Sequence, residues 1–141
     1  MLLDLSIQHS ITLSASPAQV WDALVNPAKI KQYLYGTEAV SDWQEGTSIV
    51  FQGEYEGQAY RDHGVIQAFV PERKFSYTYW TQFSGLEDKP ENHALVSFEI
   101  TPTENACVLT LTQSGFVSEQ AQQHSDASWP SILEMIGKLA G

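Results

Sequence analysis

The fold is decided by the stretch SEQAQQHSDASWPSILEMIGKLAG, Ser118 to Gly141, the one long helical period in a chain of 141 residues. From Trp129 its apolar residues fall at Trp129, Ile132, Leu133, Ile136 and Leu139/Ala140, the i, i+3, i+4, i+7 spacing that lines one face of an α-helix. Such a face must be covered. The first half, with Glu119, Gln120, Gln122, Gln123 and His124, offers only Ala121 and Ala127 as contacts, so it is expected to be solvated and less firmly docked. Pro130 removes a backbone donor and crowds the preceding turn, which predicts a kink or a helix restart near Ser128.

Nearly everything upstream reads as strand. Leu5, Ile7, His9, Ile11 and Leu13 alternate with polar residues, the period of a half-buried first strand. His9 sits on its apolar side, where a core-edge histidine with a backbone partner is expected ahead of a ligand-touching one. Ser16 then caps a helix, with Pro17 at its first position and Gln19 completing a capping box, and Val20, Trp21 and Leu24 face inward from it. Asn26-Pro27 repeats the signal for a second short helix, from about Pro27 to Tyr35 and ending at Gly36. Strands follow near 38–43, 47–55, 59–70, 74–83, 93–101 and 106–115, joined by turns short enough to make neighbours antiparallel. In the last three strands Phe75, Tyr77, Tyr79, then Val96, Phe98, Ile100, then Cys107, Leu109, Leu111 share one face, which should meet the helix. Residues 83–93 break the alternation and read as a loop over one end of the sheet. The expectation is a single α+β domain over 1–141: a curved antiparallel sheet of about seven strands, two short helices after the first strand, and a long C-terminal helix on the concave face.

Seventeen acidic against seven basic residues leave a formal net charge of −10, which opposes phosphate backbones and anionic lipid. Nucleic acid and membrane are therefore not expected as partners, and no apolar run approaches the ~20 residues needed to cross a bilayer. The single cysteine, Cys107, has no internal disulfide partner, and the chain does not open on a charged then apolar leader. A cytoplasmic protein is the expectation.

No nucleophile elbow, no His-Glu-x-x-His, no cysteine pair and no phosphate-cradling glycine loop occurs, so no catalytic residue, metal or cofactor is assigned. His9, His63, His93 and His124 are scattered along the chain, none at i+3 or i+4 from another. The polar group that stands out is Arg61, Asp62 and His63, successive residues of one strand, where an ion pair on the sheet's exposed side is expected ahead of charges that enter an apolar cleft. If Val65 and Phe69 face inward, Arg61 and His63 share that face and, with Tyr77, form the polar end of a pocket. If Gly64, Ile66, Ala68 and Val70 do, Asp62 is the inward one, and small Gly64 and Ala68 leave a hollow for a ligand. Trp21, Tyr55, Tyr77, Tyr79, Phe98, Trp129 and Leu133 supply apolar walls, and with Arg61 and His63 they are the candidate ligand-binding residues.

The order of elements resembles the helix-grip fold of the START-like superfamily, also called SRPBCC, polyketide-cyclase-like or Bet v allergen-like. The segment SPAQVWDAL (16–24), the helix from Pro27 to Tyr35, the loop GLEDKPEN (85–92) and WPSIL (129–133) are similar to the branch of homologues of the C-terminal domain of the activator of the heat-shock-protein-90 ATPase. The resemblance implies a cavity between sheet and terminal helix that binds a small apolar or aromatic molecule. The alternatives it carries are a chaperone-associated interaction module and a cyclase- or dehydratase-like enzyme, in either a monomer or a homodimer.

Overall fold

The structure is a computed structural model that describes residues 2–140, apart from the side chain of Tyr55. Its elements run β1 (Leu3–Leu13), α1 (Pro17–Val25), α2 (Pro27–Tyr33), β2 (Glu38–Ser41), β3 (Ser48–Tyr55), β4 (Gln58–Val70), β5 (Lys74–Tyr79), β6 (Ala94–Pro102), β7 (Cys107–Phe116) and α3 (Glu119–Leu139). The strands form one seven-stranded antiparallel sheet in the order β1-β7-β6-β5-β4-β3-β2. From β2 to β7 every connection except that between β5 and β6 is too short for a crossover, and throughout sequence neighbours become sheet neighbours; β1 closes the opposite edge by pairing with β7.

The expected capping box is present: Gln19 N–H donates to Ser16 Oγ at 3.2 Å and Ser16 N–H to Gln19 Oε1 at 2.9 Å. The second helix ends two residues earlier than the sequence suggests, at Tyr33, because the chain turns through positive φ at Tyr35 and Gly36. The third helix lies along β1 and packs also on α1, α2 and β7. Trp129, Ile132, Leu133 and Ile136 are all buried, as their spacing requires.

The helix restart allowed for near Ser128 does not occur: α3 is one element from 119 to 139, with Pro130 inside it and exposed to solvent. The missing donor of Pro130 falls on the outer side, where water can serve the carbonyl left without a partner. Its polar half is also more firmly held than its apolar content predicts. Gln122 Nε2 donates to Ser6 O at 3.0 Å, Ser125 Oγ to Gln113 Oε1 at 3.0 Å, and His9 Nε2 meets Asp126 Oδ1 at 2.7 Å. The partner of His9 is thus a carboxylate rather than backbone. Among the described residues no helix is long and apolar enough to cross a membrane.

Candidate functional site

The site depends on how β4 faces the helix, and the strand does this in two phases. Asp62, Gly64 and Ile66 are buried on the concave side. A bulge between Ile66 and Ala68 then shifts the alternation by one, so that Phe69 pairs with inward-facing Phe75, their rings 6.0 Å apart and nearly perpendicular. Each register inferred from the sequence therefore holds over part of the strand. Asp62 is the inward charge, while Arg61 is exposed and His63 points to the opposite side.

Gly64 does not make a hollow. The carbonyl of Thr78 fills its place, and a Cβ there would sit 1.7 Å from that oxygen. The open space lies one step along, between β3–β7 and the middle of α3. It is a chamber of about 340 Å³, walled by Phe51, Tyr77, Val96, Trp129 and Ile132, with Leu34, Tyr35, Thr37 and Tyr60 at its α2 side. Asp62, Tyr79, Gln113, His124 and Ser125 are shared with an adjoining hollow of about 550 Å³ under the start of α3.

The protons on these walls can be assigned from donor and acceptor chemistry alone. Thr37 Oγ1 donates its only proton to Leu34 O at 2.9 Å, so Tyr60 OH must be the donor in the 2.6 Å contact with Thr37. The indole N–H of Trp129 can only donate, and it lies 2.8 Å from Gln113 Oε1, which also accepts from Ser125. The Gln113 carbonyl is thereby fixed toward the helix, leaving its amide NH2 for the chamber. Tyr79 OH donates to Asp62 Oδ2 at 2.5 Å. The other carboxylate oxygen of Asp62 is buried and has no hydrogen-bond partner among the described residues. Burial, and then the charge of Asp62, push the Tyr79 hydroxyl far above the usual tyrosine range, and burial alone does the same to Tyr77. Both stay protonated at neutral pH.

Of the residues singled out from the sequence, Tyr77, Tyr79 and Trp129 meet around the chamber. Phe98 and Leu133 are core: Phe98 is sandwiched between Phe75 and Trp129, at 6.3 and 5.7 Å. Trp21 packs edge-on against Phe69 and Phe75, at 5.1 and 6.3 Å, away from the chamber. Tyr55 lies in β3, but its side chain is outside the described residues. Gln113 was not singled out, although it stands in phase with Cys107, Leu109 and Leu111 and is the one polar residue of that inward series. That interruption was its legible signal.

His63 belongs to a different cluster. Its Nε2 and that of His93 each lie 2.7 Å from Asp88, on separate carboxylate oxygens, and tie the 81–93 loop to the outer side of the sheet. The hydrogen bond from His93 holds the Asp88 carboxyl below its usual range, opposed in part by burial and helped by the charge and hydrogen bond of His63. A depressed carboxylate value means a contribution present above the ordinary value and lost as pH falls through the folded one. Because Asp88 is well exposed, the tie is worth under about 1 kcal/mol. Asp88→Ala is therefore expected to leave the melting temperature nearly unchanged while speeding amide exchange across 82–92, and acidification should have the same local effect on the unsubstituted protein. Unchanged exchange in the variant would show that the two 3-10 turns at Gln82–Ser84 and Pro90–Asn92 hold the loop unaided.

An antiparallel sheet gripping a long terminal helix, with a chamber between them, defines a START-like, helix-grip protein. The family model for activator of Hsp90 ATPase homolog 1-like proteins matches residues 14–141, and the chain belongs to that family. No curated protein matches it. Among solved structures it is similar to ChR145 of Cytophaga hutchinsonii, at 38% identity over 98% of this chain and 94% of that one, with a TM-score of 0.83. MLL2253 of Mesorhizobium loti is 22% identical over 96% of both chains, TM-score 0.78. CalU16 of Micromonospora echinospora is 22% identical over 96% of this chain and 76% of its own, TM-score 0.73. The last two likenesses speak to the fold alone.

Proposed function

We propose that this chain acts as a single domain that binds a small aromatic or apolar molecule between the sheet and α3, in the cytoplasm, as a carrier or sensor. The observation that carries the reading is the chamber of about 340 Å³, which falls within the ~300–1,000 Å³ typical of ligand sites and combines an aromatic wall with a few convergent polar groups. Tyr77, Tyr79 and Trp129 are the contacts it would use.

A neutral fluorescent probe such as N-phenyl-1-naphthylamine tests this. It is expected to bind at micromolar affinity, to change tryptophan emission through Trp129, and to raise the melting temperature. A ligand that binds only the folded state, at 100 times its Kd, adds about 2.7 kcal/mol of stability. The family's description favours a second reading, a chaperone-associated module that uses its surface, and the formal net charge of −10 would suit a basic partner. That reading prevails if no apolar compound shifts the melting curve while the protein co-purifies with an Hsp90-type chaperone.

A further inference from the structure

We propose that Asp62 reads the polar end of the ligand, and that the chamber selects an aromatic molecule bearing a hydroxyl, which donates to Asp62 and accepts from Gln113. The inference rests on the ligand-binding reading and names the chemistry of its site.

Asp62 is only 5% exposed, no lysine, arginine or histidine pairs with it among the described residues, and one of its oxygens has no partner. A buried carboxylate oxygen left without a donor is costly, and native interiors rarely keep one without a use. The surrounding walls do not resolve it. The hydroxyl protons of Thr37, Tyr60 and Ser125 and the indole proton of Trp129 are committed elsewhere, that of Tyr79 already goes to the other Asp62 oxygen, and the hydroxyl of Tyr77, also on the chamber wall, makes no hydrogen bond to Asp62. A second, donor-side fact narrows the class. Gln113, whose carbonyl is fixed toward the helix, presents two amide donors in the same chamber and the same adjoining hollow as Asp62. A hydroxyl satisfies both, since it donates one hydrogen bond and accepts others; an ammonium answers only Asp62, and a carboxylate only Gln113. The aromatic body follows from Phe51, Tyr77 and Trp129, whose rings offer flat apolar faces around that polar end. Were Asp62 present only to orient Tyr79, asparagine would serve as well, because its carbonyl accepts the same bond.

The test uses 2-naphthol, 2-methylnaphthalene and 2-naphthoate, three probes with one ring system, measured against wild-type protein and Asp62→Asn by displacement of the neutral fluorophore. Wild type is expected to bind 2-naphthol about 10- to 100-fold more tightly than 2-methylnaphthalene, the range for a hydrogen bond to a charged group, with 2-naphthoate weakest. In Asp62→Asn the naphthol advantage should fall to within about threefold and 2-naphthoate should gain at least about tenfold, because the repelling charge is gone and a donor has replaced it. The variant should melt no lower than wild type, having lost an unpaired buried charge. Equal binding of 2-naphthol and 2-methylnaphthalene to wild type, or a naphthol advantage that survives Asp62→Asn, would overturn the inference while leaving the ligand-binding reading in place. Failure of all three probes, 2-methylnaphthalene included, would overturn both. Tighter binding of a fourth probe on the same ring system, 2-naphthylmethylamine, than of 2-naphthol would overturn the hydroxyl assignment. Should Asp62→Asn not fold, the wild-type series alone decides.

Discussion

Gly64→Ala is expected to be among the most damaging single substitutions in this protein, at or above about 3 kcal/mol, the upper end for forcing an extra carbon into a packed core. The added Cβ would fall 1.7 Å from the carbonyl oxygen and 2.4 Å from the carbonyl carbon of Thr78. These are backbone atoms, so no rotamer change relieves the clash. β4 and β5 would have to part, and on either side of the contact lie bonds that parting would break: Val65 N–H to Thr78 Oγ1 at 3.0 Å, and the two His63–Trp80 backbone bonds at 3.0 and 2.7 Å. Domains of this kind have only about 5–15 kcal/mol of stability in total. The variant should therefore show a sharply lower urea midpoint. Gly53→Ala makes a control, because the atom its Cβ would meet is the hydroxyl of Tyr60 at 2.7 Å, the far end of a side chain that can swing aside. A Gly64→Ala loss below about 1 kcal/mol, or one no larger than that of Gly53→Ala, would mean that the two strands part freely.

The contrast between these glycines shows where sequence reading stops. Strand count, antiparallel order, the capping box and the buried face of α3 were all legible, because each follows from a local period or a turn signal. The faces of β5, β6 and β7 were legible for the same reason. The face of β4 was not, since its apolar residues fit either register and only a bulge reconciles Ile66 with Phe69. A bulge leaves little trace in one strand's sequence; it is set by the partner's register. The site suffered most from this. Arg61 and His63 lie on the outer side, Asp62 on the inner, and small Gly64 is filled by a neighbouring backbone rather than open. Likewise His63 and His93 meet only because Asp88 lies between them, a pairing no spacing rule could reveal. By contrast the helix's polar half, judged weakly docked for want of apolar residues, is held by hydrogen bonds to Ser6 and Gln113, which hydrophobic periodicity does not register.

Phe98→Ala should cost about 3–5 kcal/mol, the range for deleting a fully buried phenylalanine. Phe98 is 1% exposed, pairs across the sheet with Phe75 on one side and Leu111 on the other, and carries Trp129 edge-on at 5.7 Å. Its stacking on Phe75, at 6.3 Å with planes 10° apart, is lost as well. The surrounding β6 and β7 backbones are fixed by pairing on both edges, so the void cannot collapse and the cavity penalty stays near its full value. The void would also open beside Trp129, a wall of the chamber. The substitution is thus expected to act twice: a lower denaturation midpoint without ligand, and a deeper chamber whose tryptophan emission shifts and which admits a bulkier three-ring aromatic that wild type excludes. Saturating that larger ligand should restore part of the lost stability through linkage, because it binds only the folded state. A stability loss under about 1 kcal/mol would show that neighbouring side chains repack into the space, and an unaltered Trp129 emission would show that Phe98 does not back the chamber wall.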